Sequence, residues 1–409
     1  TETQQQSLYS FGAQTNSARP LDVIPVRYGR TKVTPDYAAV PWSETIGDDL
    51  YLNLLLVNGL GRYQRDQILI DDTVLWDRTA GWNASFTDVQ VQFVEPGDAV
   101  TLFPVNVATS VEVAGQELAD PAIWIAGGVI NNAGTTATRL VFDVAYPAGL
   151  CVKQSNGKLG QYLSHVQFEI RPVNSSGLPT GSWTVAAEQV FARSSDKPFR
   201  ASLSADVAPG RYEVRGRRVV APNAMTGAVD QVLWVGARAY LTGGQTFSGV
   251  SLTAIRMKAT GQLTQGSSGK FGFIDTRILP TWNGSTWVEQ PTRLPAYAAL
   301  DIATNVEYGA RRPSSKVDLQ EFVALAGVNA SRGDCFDYEF RATVPVSDAL
   351  DTALGVCRAK HRWLGDVLSV VREKWHPVPS MLITDREIVR GTFSVDYLLQ
   401  AEDSADSLI

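Results

Sequence analysis

Val250-Ser-Leu-Thr-Ala-Ile-Arg-Met-Lys-Ala-Thr-Gly-Gln-Leu263, Pro280-Thr-Trp-Asn-Gly-Ser-Thr-Trp287 and Leu294-Pro-Ala-Tyr-Ala-Ala-Leu-Asp-Ile302 follow one another along the middle of the chain. The first reads as an extended strand that runs into a glycine. In the second, Asn283-Gly284 supplies residues that tolerate positive φ, so a hairpin is expected with Trp282 and Trp287 paired across it. Such a pair stabilises a hairpin by roughly 0.2–1 kcal/mol, and that structural role is preferred here over sugar stacking.

The same β texture extends towards the amino terminus. Asp22 to Val33 reads as a strand pair around Gly29. Tyr51-Leu-Asn-Leu-Leu-Leu-Val57 is nearly all apolar, as expected of a strand buried on both faces. Gln67 to Trp76 reads as a hairpin with Asp71-Asp72 at its tip, and Val89-Gln-Val-Gln-Phe-Val94 alternates strictly before the turn at Glu95-Pro-Gly-Asp98. From Ala137 to about Gly243, short strands such as His165–Arg171, Tyr212–Arg215 and Val232–Tyr240 alternate with turns, a spacing that predicts an all-β sandwich. Helices are expected only late. One runs from a Ser315 cap through Ala326 and stops at Gly327; a second follows Ser347, with Leu350, Ala353, Leu354 and Cys357 in one stripe. Phe336–Val344 and Val367–Arg372 read as strands.

With 409 residues, about three domains are expected. Charged residues are only 19% of the chain, a composition expected of surfaces covered by partners. Formal net charge is −6, which argues against a tight nucleic-acid binder. The densest basic run, Arg211-Tyr-Glu-Val-Arg215-Gly-Arg217-Arg218, alternates as a strand with its arginines on a solvated face. Cys151, Cys335 and Cys357 are far apart and odd in number, so buried thiols of a reducing compartment are expected rather than disulfides. Thr1–Gln6 is polar with no apolar stretch behind it, so no secretory leader is read, and no apolar run is long enough to span a bilayer.

Catalytic and metal motifs are weak. His165, His361 and His376 show no HxxxH spacing. Cys357 and His361 stand at i, i+4 on the expected second helix, yet two ligands do not make a zinc site. Asp71-Asp72 and Asp48-Asp49 lack the calcium-loop pattern, Gly59-Leu-Gly61 lacks a third glycine for a dinucleotide, and no GxSxG elbow occurs. No enzymatic activity, metal or cofactor is expected.

Three blocks carry a resemblance. The first comprises Pro25-Val-Arg-Tyr-Gly-Arg30, Tyr51-Leu-Asn-Leu-Leu-Leu56 and Ile68-Leu-Ile-Asp-Asp-Thr73. The second is Leu252 to Ala303, and the third runs from Val317 to Gly391-Thr-Phe-Ser-Val-Asp-Tyr397. In this order they resemble the tail tip attachment protein J family, the central hub of long-tailed bacteriophages. The resemblance implies tail-hub β-barrel domains in a mainly β, α+β fold; the inserted fibronectin- or immunoglobulin-like sandwich is read from its strand spacing and lies outside the resembling blocks. It implies a homotrimer at the virion tail tip, touching the distal tail and other tail-tip proteins, the tape measure protein and receptor-binding parts, with transient passage of phage DNA and no membrane insertion.

The expected organisation is an arm at 1–20, an amino-terminal hub domain at 21–133, the sandwich at 134–244, a hub barrel segment at 245–310 and an α+β hub domain at 311–409. Tyr51, Leu54, Leu56, Leu252, Ile255, Phe336 and Phe340 are the candidate subunit-interface residues. Two other readings stand beside this one: a carbohydrate-binding or depolymerising virion protein, and a secreted β-rich adhesin.

Overall fold

A computed structural model describes residues 16–19, 22–47, 49–110, 113, 115–221, 226–258, 270–375, 377–379 and 381–395. Part of the expected arm, Asp48 and His376 lie outside the described residues. The protein is mainly β, with three helices among the described residues.

The strand Asp49–Leu60 organises the hub. It pairs on one side with Trp42–Ile46 and on the other with Val250–Lys258, which in turn pairs with Val89–Val94. A second antiparallel sheet faces this one. Its centre is Phe271–Trp282 beside Tyr63–Ile70, flanked by Arg30–Val33, by Thr73–Asp77 and by the short hairpin strand Trp287–Pro291. Strand side chains alternate between faces, and both faces of Asp49–Leu60 are covered. Leu52, Leu54 and Leu56 point into the core between the sheets with Ile68, Phe271 and Phe273. Leu55 points the other way, against Trp42, Phe103 and Leu252. These sheets stack as layers, and no closed barrel is formed, which corrects the barrel expectation. The strand Arg30–Val33 and the strand Val26–Tyr28 do not pair with each other as the strand-pair reading had it. The first joins Phe271–Trp282; the second joins Tyr338–Phe340 across the chain.

Gly29 is the reason for that parting. It sits at φ 69°, and a Cβ there would meet the Phe336 carbonyl oxygen at 2.1 Å. Only glycine permits the chain to turn and approach the helical unit this closely.

The helical unit differs from its sequence reading in four ways. Pro295–Thr304, expected as barrel, is a helix with Pro295 in its first turn, where the missing N–H costs nothing. The helix expected from Ser315 runs instead from Leu319 to Arg332, capped by the Asp318 side chain accepting from the Glu321 amide and closed by Gly333 at φ 72°; Gly327 is an interior residue. The helix Val346–Gly355 starts after Pro345 without a side-chain cap. Phe336–Val344 contributes only Tyr338–Phe340 as strand. One core unites the three helices with the hairpin Ala359–Leu364 and Val367–Arg372 and with Tyr28, Phe336 and Phe340.

Hub and helical unit meet at a buried polar knot. Arg27 pairs with Asp275 at 3.3 Å, and both side chains are buried. Asn58 donates to the same Asp275 oxygen at 2.9 Å and accepts from Thr253 at 2.7 Å. Burial pushes the Asp275 carboxyl up, against the pull of Arg27 and Arg65. Nearby, the Arg277 guanidinium lies against the rings of Tyr28, Tyr63 and Tyr308. Tyr28 and Tyr308 both donate to Asp301, at 2.8 and 2.7 Å.

The sandwich between the hub segments has two sheets. One contains Phe199–Gly210, Ala137–Tyr146 and Leu233–Leu241 in that order; the other contains Thr184–Arg193, Tyr162–Pro172, Tyr212–Arg218 and Ile125–Val129. Phe142 stacks on Phe168 at 4.6 Å and both meet Trp234. The Tyr212 hydroxyl donates to the Ala208 carbonyl at 2.6 Å, the corner device of immunoglobulin-like sandwiches. The core also takes in Val113, Leu118 and Ile130, residues that the sequence reading gave to the unit before Gly134. The entering strand Val107–Ser110 pairs with Leu233–Leu241, the last strand of the sandwich, so the module's entry and exit lie side by side.

Two outcomes follow. Gly29→Ala should destabilise the protein by roughly 1–3 kcal/mol, read as a lowered urea midpoint; an unchanged midpoint would contradict the close approach. Burial pushes the Tyr146 hydroxyl up to about 12 from 10.0, while it donates to Ser164 at 2.9 Å. A folded-state value above the unfolded one means that stability is whole below pH 10.0 and is lost as pH rises towards about 12. Tyr146→Phe should flatten that alkaline loss while costing about 1 kcal/mol at neutral pH, as followed by denaturant unfolding across the pH range.

Candidate functional site

The basic run forms the strand Tyr212–Arg218, but its arginines are not simply solvated. Tyr212, Val214 and Gly216 face the core and Arg215 and Arg217 face outward. The Arg215 guanidinium lies over Trp124 at 4.1 Å and over Trp183 at 4.2 Å; Arg217 covers Trp124, and Arg171 covers Trp183. Glu169 holds Arg215 at 2.6 Å and Glu213 holds Arg171 at 2.6 Å. Arg218 points inward and is paired with Asp230. This stack of guanidinium and indole planes stiffens one sheet. It covers the aromatic faces that a sugar ring would need and engages the charges that a phosphate would need.

Leu54, Leu56, Leu252, Ile255 and Phe336 are buried in this chain's own cores. They offer no surface to a second subunit, which corrects their reading as interface residues. Tyr51 is half-buried beneath Arg256, and Phe340 packs partly against Tyr28. An apolar strand is expected at an interface and in a core alike, and the core between the two sheets uses these residues.

Trp282 and Trp287 do pair across the hairpin, with ring centroids 5.7 Å apart, and Trp287 meets Tyr297 edge-on. Cys357 and His361 do not share a helix. The helix ends at Gly355, the Cys357 thiol is buried against the Leu354 carbonyl, and His361 sits on a strand with its Nδ1 2.9 Å from Asp351. Among the described residues, no group of three His, Cys, Asp or Glu is placed to hold a metal ion, and no helix is long and apolar enough to cross a membrane.

Two surfaces escaped sequence reasoning. The first is the joint between sandwich and hub. Arg238 and Asp143 form a buried pair, with Arg238 Nη2 donating to Asp143 Oδ1 at 3.1 Å. Arg238 also donates to the Ser43 carbonyl at 2.7 Å and Ser202 to the Thr45 carbonyl at 3.3 Å, while Trp42 meets Tyr240 edge-on. Burial raises the Asp143 carboxyl against the attraction of Arg238. The second is the segment after Arg372. Trp375, Val378, Met381, Leu382, Ile383, Val389, Phe393 and Val395 are all exposed, and the backbone bonds at Thr384–Glu387 and Val389–Thr392 are local turns. An apolar groove of about 230 Å³ lies elsewhere on the helical unit, walled by Val23, Val26, Phe340, Val344 and Val346 with Tyr28 at its base.

No family model and no curated protein matches the chain. Among solved structures, the chain is similar at 12% identity to a viral particle of infectious bursal disease virus, covering 84% of this chain and 93% of that one, with a TM-score of 0.21. It is similar at 12% identity to the stem and receptor-binding domain of the spike protein of bacteriophage PM2, covering 61% and 100%, with a TM-score of 0.19. Scores this low do not establish a shared fold.

Arg238→Ala leaves Asp143 buried without its cation and should cost about 3–5 kcal/mol. The double change Arg238→Met with Asp143→Leu should recover most of that loss. Both are read by urea unfolding followed through tryptophan emission; equal losses in the single and double variants would contradict the role given to the pair.

Proposed function

We propose that this chain is a structural subunit of a virion, and in particular the central hub of a long-tailed phage tail tip. In that role it closes the tail tube, joins it to host-recognition parts and lets DNA pass on ejection. The observation that carries the reading is how the three resembling blocks fold. Asp49–Leu60 from the first block pairs with Val250–Lys258, which opens the second. Tyr63–Ile70 pairs with Phe271–Trp282, and Val26–Tyr28 pairs with Tyr338–Phe340 of the third. Blocks nearly 200 residues apart thus zip into one body, and the sandwich is set aside as an insertion whose ends are adjacent.

The chemistry of the chain fits a scaffold better than a catalyst. Its buried charges tie segments together: Arg27 with Asp275, Arg238 with Asp143. Arginines of the one basic strand are held by Glu169 and Asp230 or stacked on indoles, so they do not form a phosphate-gripping patch. A homotrimer contacting the distal tail, the tape measure protein and receptor-binding parts belongs to the same proposal, as does the absence of catalysis and of a cofactor.

The test is localisation in particles. Cryo-electron microscopy of phage tails should show this chain as a ring closing the distal end of the tube, with the sandwich projecting from it. A peripheral fibre, or a single copy off the tail axis, would overturn the hub reading.

A further inference from the structure

We infer that the cleft between the helix Val346–Gly355, the hairpin of Ala359–Leu364 and Val367–Arg372, and the loop that ends at Arg312 is a binding site for a small organic oxyanion, a carboxylate or phosphate monoester carried on an apolar body. The inference is independent of the hub reading and uses none of the residues that carry it.

The cleft holds about 310 Å³, within the range of small-ligand pockets. Leu350 and Leu368, both buried members of the helical core, wall it, and Trp363 adds an indole that is half exposed. Arg312, His361 and Ser347 bring polar groups to it. Among its described lining residues none is acidic. Apolar walls with a few convergent polar groups of one sign select an anion with a hydrocarbon body.

Arg312 is the principal donor, and it is held in place before any ligand arrives. Its amide donates to the Ala303 carbonyl at 3.0 Å, and the residue before it, Arg311, sits at φ 55°. A left-handed conformation is costly for a residue with a side chain and persists only where the surroundings enforce it. The guanidinium lies over the Trp363 ring at 4.1 Å, and Nη1 donates to the Asp366 carbonyl at 3.1 Å. Stacking occupies the face of a guanidinium and leaves its edge, whose N–H groups bind an oxyanion two at a time. Arg171, Arg215 and Arg256 are also stacked on aromatic rings, but they commit that edge to Glu213, Glu169 and Glu44. Arg312 forms no ion pair among the described residues, and Asp366 turns its carboxylate to Lys316.

His361 is the second donor. Asp351 holds its Nδ1 at 2.9 Å. That contact orients the ring and leaves Nε2 for a ligand, to which it donates when the ring is protonated. The other carboxylate near the cleft, Asp348, accepts from the Ser347 hydroxyl at 3.1 Å. The acids around the cleft are thus each engaged, while the Arg312 edge and His361 Nε2 are not.

The test labels the whole chain with 5-fluorotryptophan and follows the Trp363 fluorine resonance, assigned by its loss in Trp363→Phe, as benzoate or phenyl phosphate is added. Expected is a saturable shift with at least one of the two anions and none with benzyl alcohol, which has the ring without the charge. Arg312→Gln should weaken binding at least ~10-fold. Arg362→Gln, which removes an exposed cation of the same hairpin outside the cleft, should leave it unchanged. The other tryptophan resonances report whether Arg312→Gln is folded; if it is not, His361→Gln replaces it, with weaker binding again expected. No shift with either anion, an equal shift with benzyl alcohol, or undiminished binding by the folded cleft variant would overturn the site.

Discussion

Three buried guanidiniums set the terms for this fold. Arg27, Arg65 and Arg277 are each almost wholly shielded from water, and an unpaired buried charge would cost several kcal/mol. Their partners come from distant parts of the chain. Arg27 needs Asp275; Arg65 needs the Val94 and Leu252 carbonyls and Glu95; Arg277 needs the Leu60 carbonyl and the oxygen cluster of Tyr308 and Asp301. None of these pairs forms unless both hub sheets and the first helix are already in register. Apolar burial drives the sheets together but specifies register only weakly for a strand such as Asp49–Leu60, which is apolar on both faces. The polar knot penalises every arrangement but one. Among the described residues, Asp275 Oδ1 and the Nε atoms of Arg65 and Arg277 have no hydrogen-bond partner, so the arrangement is not cost-free, and the surrounding cores must hold it.

The inserted sandwich obeys the same logic on a smaller scale. Its core is apolar and self-sufficient, with Phe142, Phe168 and Trp234 at the centre. Its seat on the hub mixes polar and aromatic contacts: Arg238, held by Asp143 of its own sheet, donates to the Ser43 carbonyl and lies over Trp42, Ser202 donates to the Thr45 carbonyl, and Tyr240 meets Trp42 edge-on. Adjacent ends let the hub strands pair as though the insertion were absent.

How much of this was legible in the sequence follows from which signals are local. The Asn283-Gly284 turn, the Asp71-Asp72 tip and the strict alternation of Val89–Val94 are local, and each appears where expected. Tyr51–Val57 was legible as doubly buried because its run of leucines is nearly all apolar on both faces. The helix Pro295–Thr304 carried a local signal that was passed over: a proline at the first helical position followed by alanines. The start of the next helix was misplaced because Ser315 and Asp318 both qualify as caps, and only Asp318 has a glutamate three residues on. Gly29 was read as a turn within a hairpin, since nothing local shows that its two flanks pair with different partners.

Five of the seven interface candidates are buried in this chain's own cores for a reason of principle. Leu54, Leu56, Leu252 and Ile255 were chosen for being apolar in strands, but hydrophobic pattern reports burial and not what does the burying. Composition shares the ambiguity, because few charges fit a large core as well as a covered surface. Surfaces meant for partners are better found by the opposite test, as apolar residues that the finished fold leaves outside. In the hub and sandwich that test returns scattered side chains. After Arg372 it returns a run in which eight of the described residues between Trp375 and Val395 are exposed apolar side chains. The sequence of that run, with Pro377-Val-Pro379 and Gly391 breaking it, looks like an irregular loop to any periodicity argument. Its exposure becomes legible only once every sheet has been assigned its strands and, among the described residues, none of them comes from this segment.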